Sequence, residues 1–98
     1  MRIVFTEDAK SDLEELRRYL EPLSPKGLAN VVAALERRIV IASENPRSDR
    51  PTPRPDVREA VEPRYGFVIP YTLIAADFYV LRVYRSMRRP LDYSELKL

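Results

Sequence analysis

Arginine and tyrosine are the residues of this chain best suited to chemistry. Arg58, Arg64, Arg82, Arg85, Arg88 and Arg89 crowd the second half, and Tyr65, Tyr71, Tyr79, Tyr84 and Tyr93 interleave with them. Arginine grips a carboxylate or phosphate with two parallel hydrogen bonds and stacks on aromatic rings. A sheet surface bearing both residue types could hold RNA through phosphate contacts and stacked bases. It could equally hold an acidic protein segment. For Arg58 and Arg82, partner binding and internal ion pairing are both open. Tyr71 and Tyr79 are expected in the core.

The absences narrow the chemistry further. The chain has no histidine and no cysteine. That removes the commonest general base and metal ligand and the thiolate nucleophile. Gly27 and Gly66 are isolated, so no glycine-rich loop can cradle a phosphate. Asp12, Glu14 and Glu15 lie on the polar side of a helix pattern and read as solvated charges rather than a catalytic pair. No metal site and no cofactor is expected. Of the 17 basic residues only Lys10, Lys26 and Lys97 are lysine. Residues 1–49 carry eight basic against nine acidic residues, and residues 50–98 carry nine against six. The positive excess therefore lies in the second half, where a surface for an acidic partner or a plain solubilising face would both account for it.

Hydrophobic periodicity places these residues on elements. RIVF at the start is a short strand. Thr6 can cap a helix whose first turn holds Glu7 and Asp8, charges that suit a helix N-terminus. Ala9, Leu13, Leu16, Leu20 and Leu23 then recur at helical spacing, and Pro22 should loosen or end the helix. Ser24-Pro25 opens a second helix, with serine as cap and proline in the first turn. Leu28, Val31, Val32, Leu35, Ile39 and Ala42 line it. Asn45-Pro46 is the stop, asparagine being tolerant of the left-handed conformation. Two such helices with a short connection form an antiparallel hairpin that needs a sheet to cover. Residues 46–55 hold four prolines and form an extended connector.

From Val57 the period becomes two. VREAV is one strand; Phe67, Ile69, Tyr71 and Leu73 share a face of the next; residues 79–84 alternate in a third. Turns are expected at Pro63–Gly66 and at Ala75–Asp77. Pro70 cannot donate to a ladder, so it marks an edge, a bulge, or a position where the donor would have faced away. The expected fold is α+β, in the order β-α-α-β-β-β. The N-terminal helical hairpin packs on one face of a small, mainly antiparallel sheet.

Ninety-eight residues, 45% hydrophobic and 33% charged, bound this to one domain over residues 1–98 with a modest core. No stretch is long enough to span a membrane, and no secretory signal stands at the start. A cytoplasmic protein is the default.

The sequence resembles the RelE/ParE toxin superfamily of type II toxin–antitoxin systems, the ParE branch more closely. VFTEDAKSDLEELRRYL (4–20) is similar to the family's strand and Ala-x-x-Asp-Leu helix, with Ala9, Asp12 and Leu13 in those places. ENPRSDRP (44–51) is similar to Asn-Pro-x-x-Gly-x-Pro, with Asp49 where glycine is usual. VREAVEPRYGFVIPY (57–71) resembles the ParE run, and VLRVYRSMRRP (80–90) resembles its last strand, with Arg85 and Arg89 replacing a common histidine and aspartate. The resemblance spans nearly the whole chain, with four pieces in order.

It implies a toxin that inhibits DNA gyrase and is neutralised by a cognate antitoxin, ParD-like or another small DNA-binding protein, through which operator DNA is contacted indirectly. No enzymatic chemistry is then expected. Target-binding residues would be Arg58, Arg82, Arg85, Arg88 and Arg89. Antitoxin-binding residues would be Leu16, Leu20, Leu35, Val40 and Ile41. Two alternatives accompany it. A RelE-like, metal-independent endoribonuclease would cut messenger RNA on the ribosome with Arg58, Arg88 and Tyr93. A degenerate, non-toxic member would survive as an antitoxin-binding co-repressor. The absence of lysine between Lys26 and Lys97, and an Arg88–Tyr93 spacing one residue longer than common, weigh against the nuclease.

Overall fold

The computed structural model describes residues 1–87 and 90–98; the expectations for Arg88 and Arg89 lie outside the described residues. Strand β1 (Arg2–Phe5) is followed by helices α1 (Glu7–Leu20) and α2 (Pro25–Glu44). Strands β2 (Arg50–Pro51), β3 (Arg58–Glu62), β4 (Phe67–Ile74), β5 (Asp77–Val80) and β6 (Tyr84–Arg85) come next, then a 3-10 turn at Tyr93–Glu95. The sheet runs β1-β5-β4-β3-β2, with β6 also pairing β4. Only β1 and β5 run parallel; β2 to β6 pair antiparallel. The expected class and the helical hairpin over one face are what the chain forms.

The helix caps follow from the residues that were expected to supply them. Thr6 has an extended backbone, and its Oγ1 accepts from the Ala9 N–H at 3.1 Å. The same hydroxyl donates to the Leu81 carbonyl at 3.0 Å, tying the helix start to the chain beyond β5. Ser24 caps α2 by accepting from Gly27 N–H at 2.9 Å. Two details differ from expectation. Helix α1 ends at Leu20, so Leu23 leaves the stripe and is exposed. Asn45 ends α2 at φ −137°, not left-handed, with its N–H returned to the Ile41 and Ala42 carbonyls.

The main core lies between the hairpin and the sheet. Ala9, Val31, Leu35, Ile39 and Ala42 meet Ala60, Phe67, Ile69, Tyr71, Phe78 and Val80. The Tyr71 and Phe78 rings stack with centroids 4.4 Å apart. Gly66 takes φ +76° in the β3–β4 turn, a conformation glycine adopts without the Cβ penalty. In the same turn Glu62 folds back to accept from the Arg64 and Tyr65 N–H groups.

The expected third strand is two. Val80 pairs with Tyr71 and Tyr84 pairs with Val68, so residues 81–83 face only Ile69 and Pro70. The Pro70 carbonyl accepts from Leu81 N–H at 2.9 Å. A strand residue aims its N–H and C=O at the same neighbour, so the donor proline lacks would have pointed at this gap. The outcome is a bulge, one of the three expectations for Pro70. The connector also contributes an unforeseen edge strand, β2, where Pro51 is harmless because no strand among the described residues pairs beyond it.

Candidate functional site

The described arginines and tyrosines do not form one surface; most fall into three groups, separated by the sheet and by what neutralises them.

The first group lines a groove of about 410 Å³ between α1 and the β6 end of the sheet, with Leu16, Tyr19, Phe67, Arg82, Tyr84 and Arg85 in its walls. Arg82 is held by Asp12 through two bonds, Nε to Oδ2 at 2.6 Å and Nη2 to Oδ1 at 2.9 Å. Asp12 Oδ2 also accepts the Val83 N–H at 2.9 Å, which satisfies backbone freed by the bulge. Of the two readings open for Arg82, internal ion pairing is therefore realised. Asp12 is not the solvated charge expected; its side chain is only 13% exposed. The hydrogen bond to Asp12, stronger here than the opposing burial, raises the Arg82 guanidinium further above its ordinary value. Arg82 also lies 5.6 Å from the Tyr84 ring centre. Arg85 stands over the Phe67 ring at 5.3 Å and has no carboxylate partner among the described residues.

The second group surrounds Asp49, which is buried. Arg38 Nη2 donates to Asp49 Oδ1 and its Nε to the Val61 carbonyl at 3.0 Å. The Tyr71 hydroxyl lies 2.8 Å from Asp49 Oδ2 and 2.7 Å from the Pro46 carbonyl, and its proton can serve one at a time. Arg58 Nη1 donates to the Asp49 backbone carbonyl at 2.7 Å. Burial, then the Asp49 carboxylate, pushes the Tyr71 phenol well above its ordinary range. Asp49 thus joins α2, the connector, β3 and β4. This role is not legible in the sequence, because Arg38 and Tyr71 are 11 and 22 residues away.

The third group covers the sheet face away from the helices. Val57, Leu81 and Leu96 pack there with Tyr79, Leu91 and Tyr93. Arg54 Nη1 donates to the carbonyls of Tyr93 at 3.1 Å and Leu96 at 2.8 Å, fastening the C-terminal segment. A sheet surface for RNA would have to use this uncovered face, and the chain's own tail occupies part of it. Tyr79 joins this minor cluster, while Tyr71 joins the main core as expected.

The nuclease set is not assembled among the described residues. Arg58 pairs with Tyr71 across β3–β4 and shares its helix-side face. Tyr93 packs in the cluster on the opposite face. Among the antitoxin candidates, Val40 and Ile41 are exposed at 47% and 53%, and they line a shallow depression on α2 with Ala33, Glu36 and Arg37. Leu16 and Leu20 are half-buried against the core. Leu35 is 2% exposed and points into the core, so it has no surface to offer. Among the described residues no group of three or more carboxylates could hold a metal ion, and no helix is long and apolar enough to cross a membrane.

A helical hairpin on one face of a small mixed sheet is the architecture of the RelE/ParE toxins. The family model for the ParE toxin of type II toxin–antitoxin systems, parDE, matches residues 3–90, and the chain belongs to that family. A solved structure of a chromosomal ParDE toxin–antitoxin system from P. aeruginosa superposes with a TM-score of 0.73. It is 23% identical, over 87% of this chain and 95% of that one, a likeness that shows the fold. No protein among curated sequences matches. The function is that of a ParE-like toxin, a gyrase poison, and such toxins act on gyrase without catalysing a reaction.

Proposed function

We propose that this chain, folded as a single domain in the cytoplasm, meets gyrase through half-buried arginines that have no ion-pair partner among the described residues. The observation that carries this reading is the contrast between Arg82, bound on two sides by Asp12, and Arg58 and Arg85. Those two are half-buried and have no carboxylate partner among the described residues. A partly desolvated guanidinium gains most from an external anion. Arg88 and Arg89 lie outside the described residues and are target-binding candidates by sequence alone. Arg82 holds the groove in shape rather than reaching outward.

The cognate antitoxin is proposed to be ParD-like. It lays an apolar segment on Val40 and Ile41 of α2 and reaches Leu16 from the groove side, with Leu20 one turn further along α1. The exposure of the α2 pair and the apolar lining of the groove support this. Operator DNA is reached through the antitoxin.

The test is direct. Purified protein incubated with gyrase and relaxed plasmid should block supercoiling and accumulate linear DNA, and a ParD-like antitoxin should abolish both effects. Unimpaired gyrase together with codon-specific messenger cleavage on ribosomes would overturn the proposal.

A further inference from the structure

A cavity of about 260 Å³ opens beside the Asp49 cluster, walled by Pro46, Arg47, Pro55, Arg58, Tyr71 and Leu73. Its charge does not balance. Behind its wall Arg38 takes the Asp49 carboxylate, while Arg58 reaches only the Asp49 backbone carbonyl, leaving one positive charge in excess. Arg47 adds another and has no ion-pair partner among the described residues. Asp56 also borders the cavity, but Arg54 holds it in a two-pronged pair that lowers its proton affinity. The hydroxyls nearby are committed: Tyr71 to Asp49 and Pro46, and Thr72 to the Asp56 carbonyl at 2.6 Å. What faces the cavity unspent is guanidinium. Arg58 has one described hydrogen bond, to a neutral carbonyl, although the group carries five donors.

We infer that this cavity receives the carboxylate of an acidic side chain on a protein partner, with Arg58 and Arg47 as the two jaws. The rest of the wall decides between protein and nucleic acid. Pro46, Pro55 and Leu73 are apolar, and Leu73 and Ile74 continue as exposed apolar surface at 37% and 39%. A duplex backbone needs a stripe of cations spaced along it. One two-arginine pocket framed by proline and leucine fits a single carboxylate flanked by an apolar residue. The inference rests on the assignment of Arg58 to the target-binding surface and names the chemistry it meets there.

The experiment reads the arginine Nε–Hε resonances of the ¹⁵N-labelled protein during titration with N-acetyl-Leu-Glu-Leu-amide. A saturable shift at Arg58 is expected, about tenfold weaker in Arg47→Gln and absent with the Gln-containing peptide. Arg58→Lys keeps the charge and guards against loss of folding; it should weaken but not abolish peptide shifts at the neighbouring Tyr71 and Leu73 amides. Absence of a saturable shift overturns the proposal. So does inorganic phosphate binding as tightly as the peptide, which would make this a phosphate site. A gyrase assay of Arg58→Gln separates the two claims. Peptide binding with undiminished poisoning by Arg58→Gln supports the carboxylate pocket and overturns the placement of Arg58 at the gyrase surface.

Discussion

Arg82 and Arg58 are both half-buried and both belong to the sheet region, yet they are used in opposite ways. Asp12 meets Arg82 face to face and takes a backbone N–H as well, so that guanidinium is spent on closing a bulge. Around Asp49 two arginines and a phenol converge on one residue. Arg38 and Tyr71 take the carboxylate, and Arg58 receives only the backbone carbonyl. The first arrangement is electrically closed and the second is left positive. The difference separates a structural arginine from one able to bind, a distinction that residue type alone does not make.

Removing each hub separates the two arrangements. Asp49→Ala should have the largest effect, because it strands Arg38 and Tyr71 in the interior. Buried partners left unpaired cost about 3 kcal/mol in total, a fall in Tm of about 15 °C for a domain this size. A shift of only a few degrees by calorimetry would mean the network contributes little. Asp12→Ala should follow at about 2 kcal/mol, since Arg82 retains partial solvent access. Chemical denaturation of Asp12→Ala and Arg82→Met together should show strong non-additivity, and additive losses would contradict the pairing.

The tail supplies the next test. Leu96→Ala should cost about 2 kcal/mol, at the low end for a buried leucine, because its cluster is small. Hydrogen exchange should show Tyr93 and Leu96 opening before the main core; equal protection in the variant would deny the tail a packing role.

Smallest is the phenol. The folded-state value of Tyr71 is raised above its unfolded value near 10. The neutral phenol therefore contributes stability that is complete below about pH 10 and is lost as pH rises through the folded value. Tyr71→Phe should lower stability near neutrality by about 1 kcal/mol and flatten the wild-type decline above about pH 10. Parallel alkaline profiles for the two proteins would refute the assignment.

Most of the fold was legible because its signals are local. Thr6, Ser24, Pro25 and the two helical stripes lie next to what they determine. The change of period at Val57 separates the helices from the sheet. The misses share a cause: they depend on groups far apart in the chain. Asp12 looked like any helix-surface acid until Arg82, 70 residues on, reached it. Arg54 looked like part of a proline-rich connector until the tail arrived to be held. Leu35 was grouped with surface leucines although its spacing with Val31, Ile39 and Ala42 already put it on the buried stripe. The strand over residues 79–84 was drawn unbroken because periodicity cannot see that Pro70, on the neighbouring strand, lacks a donor. The candidate site was legible in composition, since arginine is where sequence reading looked. Which arginines are free was not, because that depends on their carboxylate partners.

Arg58 and Arg85, half-buried and without an ion-pair partner among the described residues, are the arginines proposed to engage gyrase. The most direct measurement is gyrase-dependent accumulation of linear DNA by the Arg58→Gln, Arg85→Gln double variant. Wild type and Arg17→Gln, whose arginine is paired with Glu14 and Glu21 on α1, serve as references. The account predicts a double variant that melts within a few degrees of wild type and yields at least about tenfold less linear DNA, while Arg17→Gln matches wild type. Linear DNA at the wild-type level from the folded double variant would contradict it.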